Sequence, residues 1–281
     1  MDFANVSEIL LPAVVYLVLF AVIFLAAKWA KDLFTSYSLN KELAEHDNAS
    51  IALTMSGYYI AVALIFVSQL AGPSYGLTQD IFLVGGYSVL GILLLNLSRW
   101  VNDKAILRTF CNIEKLTKEQ NNGVGAIQFG VYLATGLVVS GALSGQGSVL
   151  TFFVFFLLGQ LSLVAFTIIY NLVAPYDLYA ELEKNNFAAA VGFSGALIGL
   201  GIIVKNSVTG DFVAWNTDLL SFAGSAVLGF IFLPLLLRLV DRLVIPGKSL
   251  SHEITHDQSV AAGLLVASIV ISFSLVLVQL F

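Results

Sequence analysis

Residues 183–204 read EKNNFAAAVGFSGALIGLGIIV, and residues 45–66 read EHDNASIALTMSGYYIAVALIF. Each carries a short charged run, an asparagine (Asn186 or Asn48), small residues, a Ser-Gly pair and then an apolar stretch. The two asparagines are 138 residues apart. The same offset joins DIFLVGGYSVLG, from Asp80 to Gly91, with DLLSFAGSAVLG, from Asp218 to Gly229. YSLNKEL from Tyr37 answers YDLYAEL from Tyr176, and LTKEQ (116–120) answers ITHDQ (254–258). Self-similarity at a fixed period marks a duplication. The chain divides into two halves, 1–146 and 147–281.

Composition decides what the halves are. Of 281 residues 58% are hydrophobic and only 11% are charged, with a mean hydropathy of +0.92. Soluble domains carry about a quarter charged residues, so this is a membrane protein. Apolar stretches near 10–30, 49–70, 81–101, 123–143, 149–173, 187–204, 217–240 and 260–281 are each long enough to cross a ~30 Å hydrocarbon core as a helix. The first carries Asp2 and Glu8 rather than a basic leader, and reads as an uncleaved helix. Eight spans make an all-α bundle of two four-helix repeats. Lone Cys111 excludes an intrachain disulfide, and a net charge of -5 leaves no nucleic-acid footprint.

Twelve of the thirteen lysines and arginines lie around odd-numbered loops, and only Lys205 falls in an even one. Positive charge marks the cytoplasmic side, so the odd loops are expected inside and both termini outside. Trp100 and Trp215 fit the aromatic belt at the membrane surface. A weaker repeat lies within each half. The even helices open at Asn48, Asn121, Asn186 and Ser259, and the odd helices end near Asp32, Asp103, Asn171 and Asp241. The unit is a hairpin with its loop in the cytoplasm, used four times. Each half holds an even number of helices, so successive copies keep one orientation, unlike inverted-repeat transporters.

The acidic-to-asparagine segments Glu42…Asn48 and Glu181…Asn186, with LTKEQNN at 116–122, resemble the bacterial inner-membrane family typified by YjfL. The domain of that family has no assigned function. One such domain is about half of this chain, so the resemblance implies two tandem copies. It also implies the bacterial plasma membrane, and a setting near phage-shock-type membrane-stress proteins. It supplies no mechanism, and Ser259 departs from its asparagine pattern.

Candidate functional residues fall into four groups. Asp32, Asp103 and Asp241, with Asn171 in the fourth unit, sit where odd helices end, and a carboxylate there opposes the helix dipole. Around a common axis they would form an acidic ring that concentrates cations; the alternative is local pairing with Lys31, Lys104 and Arg242 near water. Asn48, Asn121 and Asn186 suit helix N-caps, while the adjacent Asn122 and Asn185 exceed what one cap needs and leave a polar lining open. Asn96, Gln128 and Gln160 are the polar residues expected at membrane depth, and no charged residue is expected there. Its absence weighs against a proton-coupled carrier. Finally, His252, Glu253 and His256 fit H-E-x-x-H, whose histidines share a helix face and can bind zinc. The repeat counterpart of His256 is Lys118, which speaks against an ancestral site.

Glycine-rich runs in the fourth and sixth helices imply close helix packing. Pro234, at the repeat position of Asn96, is expected to kink the seventh helix. The leading functional expectation is a passive channel or facilitator for a cation or small solute, without cofactor. The alternatives are a non-transporting membrane module of envelope stress and a zinc peptidase. The expected partners are the lipid bilayer, further copies of the chain as a dimer, and a cytoplasmic stress protein. A continuous polar lumen would favour the first reading, and a dry, glycine-packed interior the second.

Overall fold

The computed structural model of the chain describes residues 3–107, 112–145, 147–243 and 249–280; Asp2, Arg108, Cys111 and Lys248 lie outside them. Every regular element among the described residues is a helix. The chain runs α1 (Phe3–Phe34), α2 (Leu39–Ala44), α3 (Ala49–Leu70), α4 (Leu77–Ala105), α5 (Asn112–Thr117), α6 (Asn122–Ala142), α7 (Val149–Val173), α8 (Leu178–Glu183), α9 (Phe187–Val208), α10 (Trp215–Leu243), α11 (Leu250–Thr255) and α12 (Val260–Leu280). Eight helices are long and apolar enough to cross a membrane. The four short ones, α2, α5, α8 and α11, sit in the odd loops, which the sequence reading left without structure.

Each unit is therefore a long helix, a short helix and a second long helix. The turn after the short helix is built the same way four times. Asp47, Gln120, Asn185 and Gln258 all adopt positive φ, between 46° and 59°. A left-handed residue reverses the chain there, and Asn tolerates that conformation better than most side chains. This accounts for Asn185 beside Asn186: one turns the chain and the other caps the helix.

The second long helices pack side by side in a row, α3 on α6, α6 on α9 and α9 on α12. The first long helices α1, α4, α7 and α10 cover the row and face lipid, with Leu10, Leu17, Leu33, Leu220 and Ile231 exposed. The row is held at three heights, each used at all three contacts. A Cβ at Gly125 would lie 2.5 Å from the Ser50 carbonyl oxygen, and one at Gly263 would lie 2.4 Å from that of Ala188. Gly123 meets Ala190 at the equivalent height between α6 and α9. Higher up, Gly57 meets Phe129, Gly130 meets Ser194 and Gly195 meets Ala267. Gly136 meets Ala61, Gly201 meets Ala134 and Gly199 meets Ser274 at the third height. Without a hydrophobic drive between helices in lipid, close backbone approach supplies the attraction. The result is a dry, glycine-packed seam. Pro234 lies inside α10, which continues as a helix to Leu243.

Overpacking this seam is expected to cost about 1–3 kcal/mol. Gly195→Val drives a side chain into Ala267, where a Cβ would already lie 2.3 Å from the Cα. A Cβ at Gly86 would have nothing within 4 Å of it. Thermal unfolding in detergent should show a lowered midpoint for Gly195→Val and none for Gly86→Val.

Candidate functional site

The odd-helix ends turn out to brace the short helices. Asp32 Oδ1 accepts the Leu39 amide at 3.2 Å, Asn171 Oδ1 accepts that of Leu178 at 3.0 Å, and Asp241 Oδ1 accepts that of Leu250 at 2.5 Å. The oxygen that opposes the dipole of its own helix thus sits at the start of the next one, where negative charge is favoured. An asparagine offers the same oxygen, which explains why Asn171 can replace aspartate. Asp103 differs. Its carboxylate takes the Asn112 side-chain amide at 3.0 Å, Gln128 Nε2 at 3.3 Å and Arg99 Nε at 3.3 Å. Lys104 lies over the Trp100 ring instead, 3.8 Å from its centroid.

The asparagines at the inner-helix entrances work in two directions. The Asn48 side-chain oxygen accepts the Ser50 and Ile51 amides, Asn121 caps Val124 and Asn186 caps Ala189. Their Nδ2 groups donate outward, to a carbonyl on the short helix of the following unit. Asn48 reaches Leu116 O at 2.8 Å, Asn121 reaches Leu182 O at 2.8 Å and Asn186 reaches Ile254 O at 2.7 Å. Glu42 and Glu181 also accept from Asn48 and Asn186. Capping was readable from sequence; the strap between units was not. Asn122 Oδ1 is buried without a partner among the described residues.

A polar cluster fills the first half near the short-helix face. Lys31 is fully buried, which corrects the expectation that no charged residue lies inside and that Lys31 pairs with Asp32 near water. Its Nζ donates to Tyr132 Oη and lies over the Tyr58 and Tyr132 rings, 5.2 and 4.4 Å from their centroids. Tyr58 donates to the Ala27 carbonyl and accepts from Asn96 Nδ2 at 3.1 Å. Arg99, Asp103 and Gln128 complete the cluster. Beside it, burial pushes the Tyr37 hydroxyl up to about 12, so it stays neutral. Several buried polar atoms have no partner among the described residues: Ser88 Oγ, Asn96 Oδ1, both side-chain polar atoms of Asn102, Asn112 Oδ1 and Thr135 Oγ1. Orphaned groups of this kind are costly in an apolar interior.

The second half is the control. At the positions of Lys31, Tyr58, Asn96, Arg99, Gln128 and Tyr132 it carries Tyr170, Ala196, Pro234, Leu237, Val266 and Val270. Tyr170 meets the Tyr176 hydroxyl at 3.0 Å. A cavity of about 270 Å³ lined by Tyr170, Pro234, Leu237, Asp241 and Val266 occupies that place. In the first half only about 10 Å³ remains, beside Arg99, Asp103, Gln128 and Tyr132. On the opposite face, Asp80 accepts from Ser74 Oγ and the Tyr75 amide under a cavity of about 760 Å³. Asp218 accepts the Val213 and Ala214 amides in the same way. The Asp80 turn is thus common to both halves. Gln160 is buried in α7, and neither of its side-chain polar atoms has a partner among the described residues.

His252 and His256 stand on α11 and its C-cap, their rings 4.6 Å apart. The carboxylate grouped with them is Asp257, 2.9 Å from His256 Nδ1 and 3.8 Å from His252 Nδ1. Glu253 is not in the group, and all three members are exposed. The set offers a metal three ligand atoms within 4.8 Å of one another, at the protein surface rather than in a cleft around a scissile bond.

The chain belongs to the family described as Domain of Unknown Function (DUF350), whose model matches residues 5–143 and 145–281, in two tandem copies. It is similar to a UPF0719 transmembrane protein of Aquifex aeolicus (strain VF5), at 24% identity over 89% of this chain and 92% of the relative. The UPF0719 inner membrane protein YjfL of Escherichia coli (strain K12) is 31% identical over 27% of this chain and 66% of its own length. The UPF0719 transmembrane protein YshE of Bacillus subtilis (strain 168) is 28% identical over 34% and 68%. No solved structure matches. The chain is an integral membrane protein of this family.

Two variants separate the cap from the strap. Asn186→Ala loses both the cap and the outward donor, and should cost more than the about 1 kcal/mol of a cap alone. Asn186→Asp keeps the capping oxygen but sets a carboxylate against Glu181 and the Ile254 carbonyl, and should unfold at a lower temperature still. If Asp instead is more stable than Ala, the capping oxygen outweighs the contacts of the outward amide. Asp32→Asn should unfold with the native protein, as Asn171 implies, whereas Asp32→Ala should fall below it.

Proposed function

We propose that the chain is a passive facilitator of the bacterial inner membrane, with a path for a small polar solute along the buried face of α4 in its first half. One observation carries this reading: the fold is built twice, and the polar cluster once. Caps, braces and glycine contacts recur in both halves and belong to the architecture. Lys31, Tyr58, Asn96, Arg99, Gln128 and Tyr132 recur in neither hairpin of the second half, so the fold does not require them. Ionisable residues kept inside a membrane mark pathways and functional sites.

The polar face of α4 runs from Asp80 through Ser88, Asn96, Arg99 and Asn102 to Asp103. In α10 the positions of Ser88, Asn96, Arg99 and Asn102 are Ala226, Pro234, Leu237 and Val240. Unpartnered atoms at Ser88, Asn96, Asn102 and Thr135 supply hydrogen-bonding positions for water or solute between the two faces. Arg99 is balanced by Asp103 and Lys31 is fully buried among tyrosines, so the cluster carries no net negative charge and favours an uncharged polar solute or an anion over a cation. Asp32 and Asp241 act as braces in this reading rather than as an acidic mouth. The reading includes no catalytic chemistry and no cofactor.

The dry, glycine-packed seam of α3, α6, α9 and α12, and the cavity of only about 10 Å³ beside Arg99, are the outcome that favours a second reading, a non-transporting module. Its short-helix face, cytoplasmic by the charge rule, would dock a cytoplasmic stress protein.

Stopped-flow permeability of proteoliposomes distinguishes the two. The facilitator should pass small anions or small uncharged polar solutes above empty liposomes, with potassium slower. Lys31→Met should lower that flux at least about tenfold, equivalent to ~1.4 kcal/mol on the barrier, while Tyr170→Phe leaves it unchanged. Folded protein with no flux above empty liposomes for any of these solutes would overturn the facilitator and leave the docking module.

A further inference from the structure

The row of inner helices uses one interface three times, and each end of the row carries half of a fourth. On α9 the face that receives α12 is set by Ala188, Gly195 and Gly199. The same positions on α12 are Ala261, Ser268 and Ser272, and all three are exposed. On α6 the face that meets α3 is set by Gly125, Phe129 and Gly136. Its counterpart on α3 is Ala52, Ser56 and Ala63, of which the first two are exposed and the third half-buried. Beside these small residues α12 exposes Leu264, Leu265 and Leu275, as the lipid-facing helix α1 exposes Leu10, Leu17, Leu25 and Leu33. Small residues at these registers are what the three internal contacts require, and lipid does not require them.

The asparagine strap gives an independent register. Asn48, Asn121 and Asn186 each donate to the short helix of the next unit, at Leu116, Leu182 and Ile254. The equivalent carbonyl of the first unit is that of Leu43, and among the described residues no asparagine strap reaches it. At the other end Ser259 keeps the cap on Ala262, at 3.3 Å, but has no amide to reach outward.

We propose that a second copy of the chain packs its α3 against α12 in the register of the internal contacts. Ala261 then meets Ala52 of the second copy, Ser268 meets its Ser56, and Ser272 meets its Ala63. The contact is heterologous, joining two different surfaces, and closes into a ring when both ends are satisfied. Because serine replaces asparagine, this junction lacks the strap and is weaker than the internal ones. The proposal is independent of any transport activity.

The internal counterpart of the Ala261–Ala52 pair is Gly123 with Ala190, where a Cβ on the glycine lies 3.5 Å from the alanine Cβ. That separation suits a disulfide. In a Cys111→Ser background, Ala52→Cys and Ala261→Cys chains are co-expressed, and membranes are treated with copper phenanthroline. A crosslinked dimer is expected from the mixture and from neither single variant alone. A crosslink from one single variant alone means like faces meet, and overturns the register; no crosslink in any combination, with protein that is monomeric by native mass spectrometry in nanodiscs, overturns the contact. Ser259→Asn is the second arm: it retains a cap and restores the donor toward Leu43 of the second copy. The oligomer should then survive at least tenfold greater dilution in detergent, and an unchanged or weakened oligomer overturns the proposed register.

Discussion

The structure depends on a constraint that lipid imposes: each polar group in a membrane-embedded backbone has to find a partner inside the protein. At four points the chain enters the membrane from a short helix, exposing amides at the start of one helix and carbonyls at the end of another. Asn48, Asn121 and Asn186 satisfy both with one side chain. The oxygen caps the helix it begins, and the amide nitrogen takes a carbonyl from the next unit. Among uncharged side chains only asparagine and the longer glutamine carry a carbonyl acceptor and a separate amide donor. The cap therefore also fixes how far one unit sits from the next, and the glycine contacts above it follow that spacing.

Those glycines convert spacing into attraction. Three heights of contact, each with at least one glycine, bring the inner helices close enough for backbone to touch backbone. In water such a seam would be secondary to burial of larger side chains; in lipid it is the main source of helix association. The outer helices, and the free sides of α3 and α12, expose bulky residues such as Leu220, Val67 and Leu264 because their partner is lipid. The faces that meet inside the row are built of small residues instead.

Much of this was legible in the sequence. The 138-residue offset, the eight spans and the capping asparagines follow from pattern alone, and the glycine runs named the tight helices. The short helices were missed because six-residue segments carry too little periodicity to separate from loop. The strap was missed because an asparagine side chain announces its cap locally, whereas its second partner lies 61 to 68 residues away. Lys31 was placed near water because it stands only a turn from the end of α1. The available signal was the repeat itself: a lysine aligned with Tyr170 is an ionisable residue at a position the duplicated half keeps uncharged.

That comparison bears on what the first half is for. A lysine or arginine at the centre of a membrane helix costs about 2.5–3.5 kcal/mol on insertion scales, less toward the ends. The second half avoids such a cost at the same place, using Tyr170, Leu237 and Val266, and still forms its helices, its braces and its seam. Stability alone would favour carrying that solution twice. Instead, the first half retains a lysine, an arginine and a carboxylate, ringed by tyrosines and amides, with several polar atoms left unmatched. A duplicated fold gives one copy freedom to hold the scaffold while the other carries an arrangement that is expensive to keep. The proposed path therefore rests on the asymmetry between the halves, on the side of Lys31, and on no motif in the chain.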